Sequence, residues 1–188
     1  MGARAAVIIA AAIGVFIPWQ GDWLERDMAQ HMLIEFPLLL FAGAFIGYAL
    51  DERFGATVER FNRMGLVGFA FAAATLSYWM IPAALDNSVL IGSVAAAKYI
   101  TLLLSGALLW SSFRLAPLAV QAFFVGSFVL MAATFGCIYQ SAPQRLCLNY
   151  LLDAQQLAGQ GLVAAAVIVG AAWCVSIAGA VSEPDAAA

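Results

Sequence analysis

Six long apolar stretches, at about 4–19, 29–50, 65–85, 89–113, 115–142 and 156–181, take up most of this 188-residue chain. The hydrocarbon layer of a bilayer needs roughly 20 apolar residues per helix, and inside it every backbone N–H and C=O must find an internal partner. The spacing therefore predicts an all-α fold, a polytopic membrane helical bundle with about six transmembrane helices. A composition that is 64% hydrophobic and only 10% charged cannot be hidden in a soluble core of this size. The connections are short, which leaves no room for a soluble catalytic domain, so residues 1–188 read as a single membrane-embedded domain whose first partner is the lipid bilayer.

The charges orient the bundle. Arg4, Arg53, Arg60, Arg63 and Arg114 fall on one side of the expected spans, against Arg26 and Arg145 on the other. By the positive-inside rule both termini are expected in the cytoplasm, with 22–30, 86–88 and 141–155 facing outward. Trp19, Trp23, Tyr78, Trp79, Tyr139 and Tyr150 then fall near the outer interface, and Tyr48, Trp110 and Trp173 near the inner one. The first stretch begins at a basic residue as a signal peptide does, but Ile17-Pro18-Trp19-Gln20 lacks a small-x-small cleavage site, so it is expected to be retained. Pro37 and Pro82 are expected to kink their helices, and Gly43 and Gly47 to form a small face for a neighbouring helix. A net charge of −3 with no basic patch elsewhere excludes nucleic acid as a partner.

The single histidine lies in Asp27-Met28-Ala29-Gln30-His31-Met32, where the first outer loop enters the second span. Helical spacing puts Asp27, His31 and Glu35 on one stripe, with Met28 and Met32 on the adjoining one. One reading is a soft-metal site in which His31, Met28 and Met32, with Asp27, hold Cu(I) while carboxylates orient the ring. The other is that His31 is bonded to Asp27 or Glu35 and the methionines fill space. Lys98, about nine residues into the fourth span, is an expensive charge at that depth and is expected to pair with Glu35. Asp153, Gln155 and Gln156 are further candidates for buried polar contacts. Met80 and Met131 are weaker candidates for approaching His31.

Cys137 and Cys147 bracket the outward end of the fifth span, where an oxidising compartment would allow a disulfide. A redox or copper-handling dithiol, or two unrelated thiols, are the alternatives, and Cys174 reads as packing. No Ser/His/Asp set, phosphate-cradling glycine loop or carboxylate–histidine cluster of the di-iron kind is present, so no enzyme is expected. One histidine cannot give a haem two imidazole ligands.

Three stretches in order, spanning roughly 27 to 160, resemble the CtaG-like family of membrane proteins implicated in cytochrome c oxidase assembly. Met28-Ala29-Gln30-His31-Met32-Leu33 with Pro37-Leu38-Leu39-Leu40 is similar to that family's His-Met-x-Gln-His-Met-Leu and Pro-Leu-Leu pattern. Leu102 to Trp110 is similar to its Gly-Leu-Leu-Phe-Trp pattern, and Gln155-Gln156-Leu157-Ala158-Gly159 to its Asp-Gln-Gln-Leu-Ala-Gly run. Asp27 stands where the family has its first histidine, Ala154 where it has an acid, and Lys98 where it tends to carry a histidine or an acid. The resemblance implies an assembly factor of the bacterial inner (cytoplasmic) membrane, presenting Cu(I) at the outer face to another membrane protein such as an oxidase subunit. The alternative it leaves is a non-catalytic structural subunit or chaperone of a respiratory or metalloenzyme complex.

Overall fold

The computed structural model describes residues 2–19 and 21–182, with the side chains of residues 3, 4, 15–19, 21, 22, 52 and 179–182 outside the description. Expectations resting on the side chains of Arg4 and Trp19, and on Gln20, therefore lie outside the described residues. Helix α1 (Ala3–Trp19) is followed by a single turn, Gly21–Leu24. A continuous run, α2, is built from Met28–Gln30, a widened π turn at His31–Glu35, and Phe36–Phe61. Then come α3 (Leu66–Trp79), α4 (Pro82–Leu90), α5 (Gly92–Leu115), α6 (Leu118–Ser141) and α7 (Leu152–Ser182), with no strand among the described residues.

Four helical segments are long and apolar enough to cross a membrane: Met28–Asp51, Gly92–Leu115, Leu118–Ser141 and Leu152–Ala178. A fifth exists if α3 and α4, which meet at a 79° bend, count as one span. Of the six spans expected, four to five are thus present among the described residues, and the sixth is not confirmed. Pro82 has no N–H to give to the previous turn and opens a new helix instead of bending an old one. In the first stretch, where the side chains of residues 3, 4 and 15–19 lie outside the description, the apolar segment Ala5–Gly14 is part of the 17-residue helix α1. The long helices turn apolar side chains outward: Phe41, Phe123, Leu130 and Val175 are 63%, 67%, 71% and 72% exposed. Such a surface is a liability in water and the normal outer face of a bundle in lipid.

Glycine sets the closest helix contacts. A Cβ on Gly43 would strike the backbone of Leu103, one on Gly47 that of Ala107, and one on Gly106 that of Leu40, so α2 and α5 pack backbone to backbone. Gly136 and Gly159 do the same for α6 and α7, each lying against the other's carbonyl. Without a hydrophobic drive between helices in lipid, this close van der Waals contact is what association rests on. The small face expected at Gly43 and Gly47 is present, and it seals the middle of the α2–α5 seam.

Polar knots close the two ends. At one, Asn62 donates to Ser111 Oγ (3.0 Å) and Ser112 Oγ (2.9 Å) and accepts from the Gly68 N–H at 2.9 Å, tying the end of α2 to α3 and α5. The turn between α2 and α3 needs left-handed backbone at Met64 and Gly65, with φ of 56° and 70°. Arg114 and Asp51 form an ion pair at this same end.

At the other end, residues 142–151 are irregular and held by side chains. Asp86 accepts from the N–H groups of Leu148 (2.7 Å) and Asn149 (3.1 Å). Gln155 accepts from Leu146 N–H at 2.7 Å and donates to the Tyr139 carbonyl at 3.1 Å, while the Tyr139 hydroxyl donates to the Met80 carbonyl. Of the three polar residues expected to be buried in this region, only Gln155 is; Asp153 and Gln156 are exposed. At 100° per residue they lie off the face that α7 turns to α6, and Asp153 suits the first turn, where the helix dipole favours an acid. Trp79, Tyr139 and Tyr150 were expected at an interface but are buried, each with its polar tip bonded inward.

The thiols are free. Cys137 is exposed, whereas Cys147 is buried with its thiol toward the Pro82 carbonyl at 3.9 Å, so the disulfide allowed by the sequence is not formed. The bonds that pin residues 146–149 turn Cys147 toward α4 instead of toward Cys137. Burial, with the Asp86 carboxylate beside it, pushes the Cys147 thiol up to about 12.

Candidate functional site: a lysine-centred Glu–His–Glu cage

Pro37 lacks an N–H, so the turn before it cannot complete its regular ladder, and the helix widens into the π turn His31–Glu35. Turns of this kind recur at functional sites. Here the π turn sits at the start of α2, buries His31 and Glu35 completely, and brings the His31 Nε2 within 3.3 Å of Glu35 Oε2. The loop after the Gly21–Leu24 turn contributes Glu25, α5 contributes Lys98, and the pinned loop at 142–151 contributes Tyr150.

The centre of the cluster is an ammonium. Lys98 Nζ, fully buried, lies 2.7 Å from Glu25 Oε1, 2.8 Å from Glu35 Oε1 and 2.9 Å from His31 Nε2. The Glu25 and His31 contacts are aligned hydrogen bonds; the Glu35 contact is an ion pair. An ammonium has only hydrogens to offer, so Nε2 must be the accepting nitrogen and Nδ1 carries the ring proton. Nδ1 in turn donates to the Tyr150 hydroxyl at 2.7 Å. His31 is therefore a neutral imidazole with both nitrogens engaged, and its Nε2 and Glu35 lie side by side around the ammonium, not as an ion pair of their own. Phe36 and Tyr150 meet the imidazole edge-on, at centroid distances of 5.4 and 6.2 Å. The Tyr99 ring lies 4.8 Å from Nζ. Burial, followed by the acidic groups around it, raises the Tyr150 phenol, which keeps it a neutral acceptor for His31.

One ligand-capable atom each from Glu25, His31 and Glu35 lie within 4.8 Å of one another, a spacing that could hold a metal ion. Two carboxylate oxygens and an imidazole nitrogen form a set for a borderline or hard divalent ion; Cu(I) prefers thiolate and thioether. Of the ligands read from the sequence for Cu(I), His31 belongs to this group and Asp27 is engaged elsewhere. Asp27 is spent as the N-cap of α2, accepting from Ala29 N–H at 2.8 Å. Met28 and Met32 are buried in the hydrophobic core. Met80 offers its carbonyl to Tyr139, and the Met131 sulfur accepts from the Ser77 hydroxyl at 2.8 Å. The Glu25, His31 and Glu35 donors by themselves suit a divalent ion better than Cu(I), and Lys98 Nζ lies 2.7–2.9 Å from all three residues.

The Lys98–Glu35 pair expected from the sequence is present, but Glu25 and Tyr150 were missed as site residues. Glu25 carries no signal beyond being an acid beside the second span, and Tyr150 looks like any interfacial aromatic. Glu25, 18% exposed, is the cage carboxylate that reaches the surface; His31, Glu35 and Lys98 are fully buried.

Fold and site together define a multi-pass, all-helical membrane protein with a buried carboxylate–imidazole cage built around a lysine. Compared with known proteins, the chain matches no family model, no curated protein and no solved structure.

Proposed function

We propose that this protein is a non-catalytic accessory or assembly protein of a respiratory or metalloenzyme membrane complex, in which Lys98 holds the polar centre that a metal would otherwise hold. The observation that carries the reading is the Lys98 ammonium itself. Its three acceptors lie at 2.7, 2.8 and 2.9 Å, which is the coordination a small cation would seek from the same atoms. A lysine delivers that charge covalently, so the cage is complete without an ion and needs no exchange with the outside. Its work is then mechanical: it locks the loop at Glu25, α2, α5 and the Tyr150 loop into one surface on which a partner can be received.

The resemblance to CtaG-like proteins supports the choice of client, an oxidase or another metalloenzyme of the bacterial inner membrane. The arginine distribution supports both termini in the cytoplasm and the cage at the outer face. Replacement by Lys98 of the histidine or acid that the family tends to carry favours the structural role over Cu(I) presentation.

The test is metal binding by the detergent-purified chain, with Cu(I) and Zn(II) each measured against a chromophoric competitor, for the native protein, His31→Ala and Lys98→Met. The native protein should hold far less than one equivalent of either ion, and Lys98→Met should gain about one equivalent of Zn(II) through Glu25, His31 and Glu35. About one equivalent of Cu(I) in the native protein, lost in His31→Ala, would overturn this reading and make copper delivery the function.

A further inference from the structure

Away from the cage, the largely apolar interior holds a cavity of about 350 Å³ where five helices meet. It is bounded mainly by Phe69 and Leu76 of α3, Phe113 of α5, and Phe124, Phe128 and Met131 of α6, with Leu40 and Val169 completing the wall. These residues lie within the bilayer-depth parts of their helices. From Phe69 to Leu76, and again from Phe124 to Met131, is seven residues, so the cavity runs about 10 Å along the helix axes. That is roughly two-thirds of one leaflet of a ~30 Å hydrocarbon layer.

The cavity is dry by construction. Its two hydroxyls are already engaged: Ser77 lies 2.7 Å from the Ala73 carbonyl and 2.8 Å from the Met131 sulfur, and Ser127 donates to the Phe123 carbonyl at 2.7 Å. A water needs two to four polar partners to stay in such a place, and the lining offers only these engaged hydroxyls. One end is rigid, because Phe69 stacks on Phe124 (5.1 Å, 12° between planes) and meets Phe113 edge-on at 4.9 Å. The space is far larger than the voids that close-packed interiors keep. It falls in the size range of small-molecule sites, roughly 300–1,000 Å³. Phe123 and Leu130, flanking the α6 wall, are exposed to the surrounding medium. At this depth that medium is hydrocarbon, and the cavity is half-open, not sealed.

We infer that the cavity between α3, α5 and α6 is a binding site for one acyl chain of a bilayer phospholipid, held as a structural filler. The run of lining residues along the helix axes, the almost wholly apolar lining and the half-open wall all suit a single unbranched hydrocarbon chain. A ligand whose head must enter the protein would find no polar atom to meet it. The site is independent of the cage: it shares no residue with it and would persist whatever the cage binds.

The experiment uses the full chain reconstituted in phosphatidylcholine vesicles doped with a phosphatidylcholine carrying a diazirine in mid-chain, irradiated and mapped by peptide mass spectrometry. Adducts should concentrate on the inward residues of 69–77 and 124–131 above those on the lipid-facing Phe41, Leu104 and Ile168. Ala72→Phe and, separately, Ser77→Leu should cut cavity adducts at least about fivefold, since an added side chain and an acyl chain cannot share the space. Adducts at the perimeter should stay unchanged, which shows that the variants still fold. Cavity residues labelled no more than the perimeter, or labelling unmoved by both variants, would overturn the inference. So would a bound non-phospholipid molecule, seen by native mass spectrometry, that the labelled lipid does not displace.

Discussion

Replacing Lys98 by Met removes the ammonium at nearly constant side-chain length and is the sharpest perturbation of the cage. Nζ loses contacts at 2.7, 2.8 and 2.9 Å, leaving Glu35 and the Nε2 of His31, on residues 0% exposed, without the cation. Breaking a buried charge pair from one side costs about 3–5 kcal/mol, because the charge left behind stays desolvated. Glu25, 18% exposed, can rehydrate, which argues for that range and against the sum of three separate losses. At about 2–4 °C per kcal/mol for a chain of this size, the expected fall in Tm is about 6–20 °C. Thermal unfolding of the purified protein in mild detergent reads it directly. Glu35→Gln added to Lys98→Met should recover part of the loss, with a coupling of about 1–3 kcal/mol, as residues in one network require. Zn(II) at about 100 times its dissociation constant should restore about 2.7 kcal/mol in Lys98→Met and nothing in the native chain. A Tm lowered by less than about 2 °C, or a double variant whose effects simply add, would refute the view that Lys98 takes the place of a cation.

The remaining predictions concern packing and the loop at 142–151. Gly106→Val should cost at least ~3 kcal/mol, beyond the ordinary overpacking range, since the new Cβ meets the Leu40 backbone and no side chain can yield; a folded, unshifted variant by thermal unfolding would contradict the seam. Cys147, 1% exposed, should resist maleimide in the folded protein. Asp86→Ala, by removing the acceptor for Leu148 and Asn149, should speed its alkylation and cost about 1–3 kcal/mol; equal rates would show that Asp86 does not pin the loop. The Cys147 thiol is raised by burial to about 12 from 9.0. Below pH 9 it is protonated in both states and contributes no pH dependence. Above that, only the unfolded chain releases the proton, so stability should fall between about pH 9 and 12. A Cys147→Ala variant should lack that part of the decline, which pH-resolved unfolding would show.

Several parts of the cage were legible in the chain. His31 and Glu35 are four apart on one helix, and an isolated lysine in an apolar span must find an acid, so their meeting follows from helix geometry and the cost of a buried charge. Glu25 and Tyr150 were not legible, because each reaches the cage through irregular backbone. Glu25 arrives on a loop, and Tyr150 on a segment held by Asp86 and Gln155 from two other helices. Asp27 misled for a local reason: its stripe position is that of a ligand, but at the first residue before a helix a carboxylate is better used on an orphan N–H. The bend at Pro82 and the widened turn before Pro37 both come from a missing proline N–H. The sequence marks the place of each disruption, while the surrounding packing decides whether it becomes a 79° corner or a π turn.

By itself, the amino-acid sequence determined that this protein is helical and lives in a bilayer, since only internally bonded helices can carry so many apolar residues through hydrocarbon. It also determined that His31, Glu35 and Lys98 could not be idle, since each is a polar group that lipid will not solvate. Tertiary structure alone decided what fills the centre of that group. Whether a cage of Glu25, His31 and Glu35 surrounds a metal or a lysine depends on where the end of a flexible four-carbon side chain comes to rest. That position is set by the glycine seam that brings α5 against α2, and no pattern along one helix encodes it.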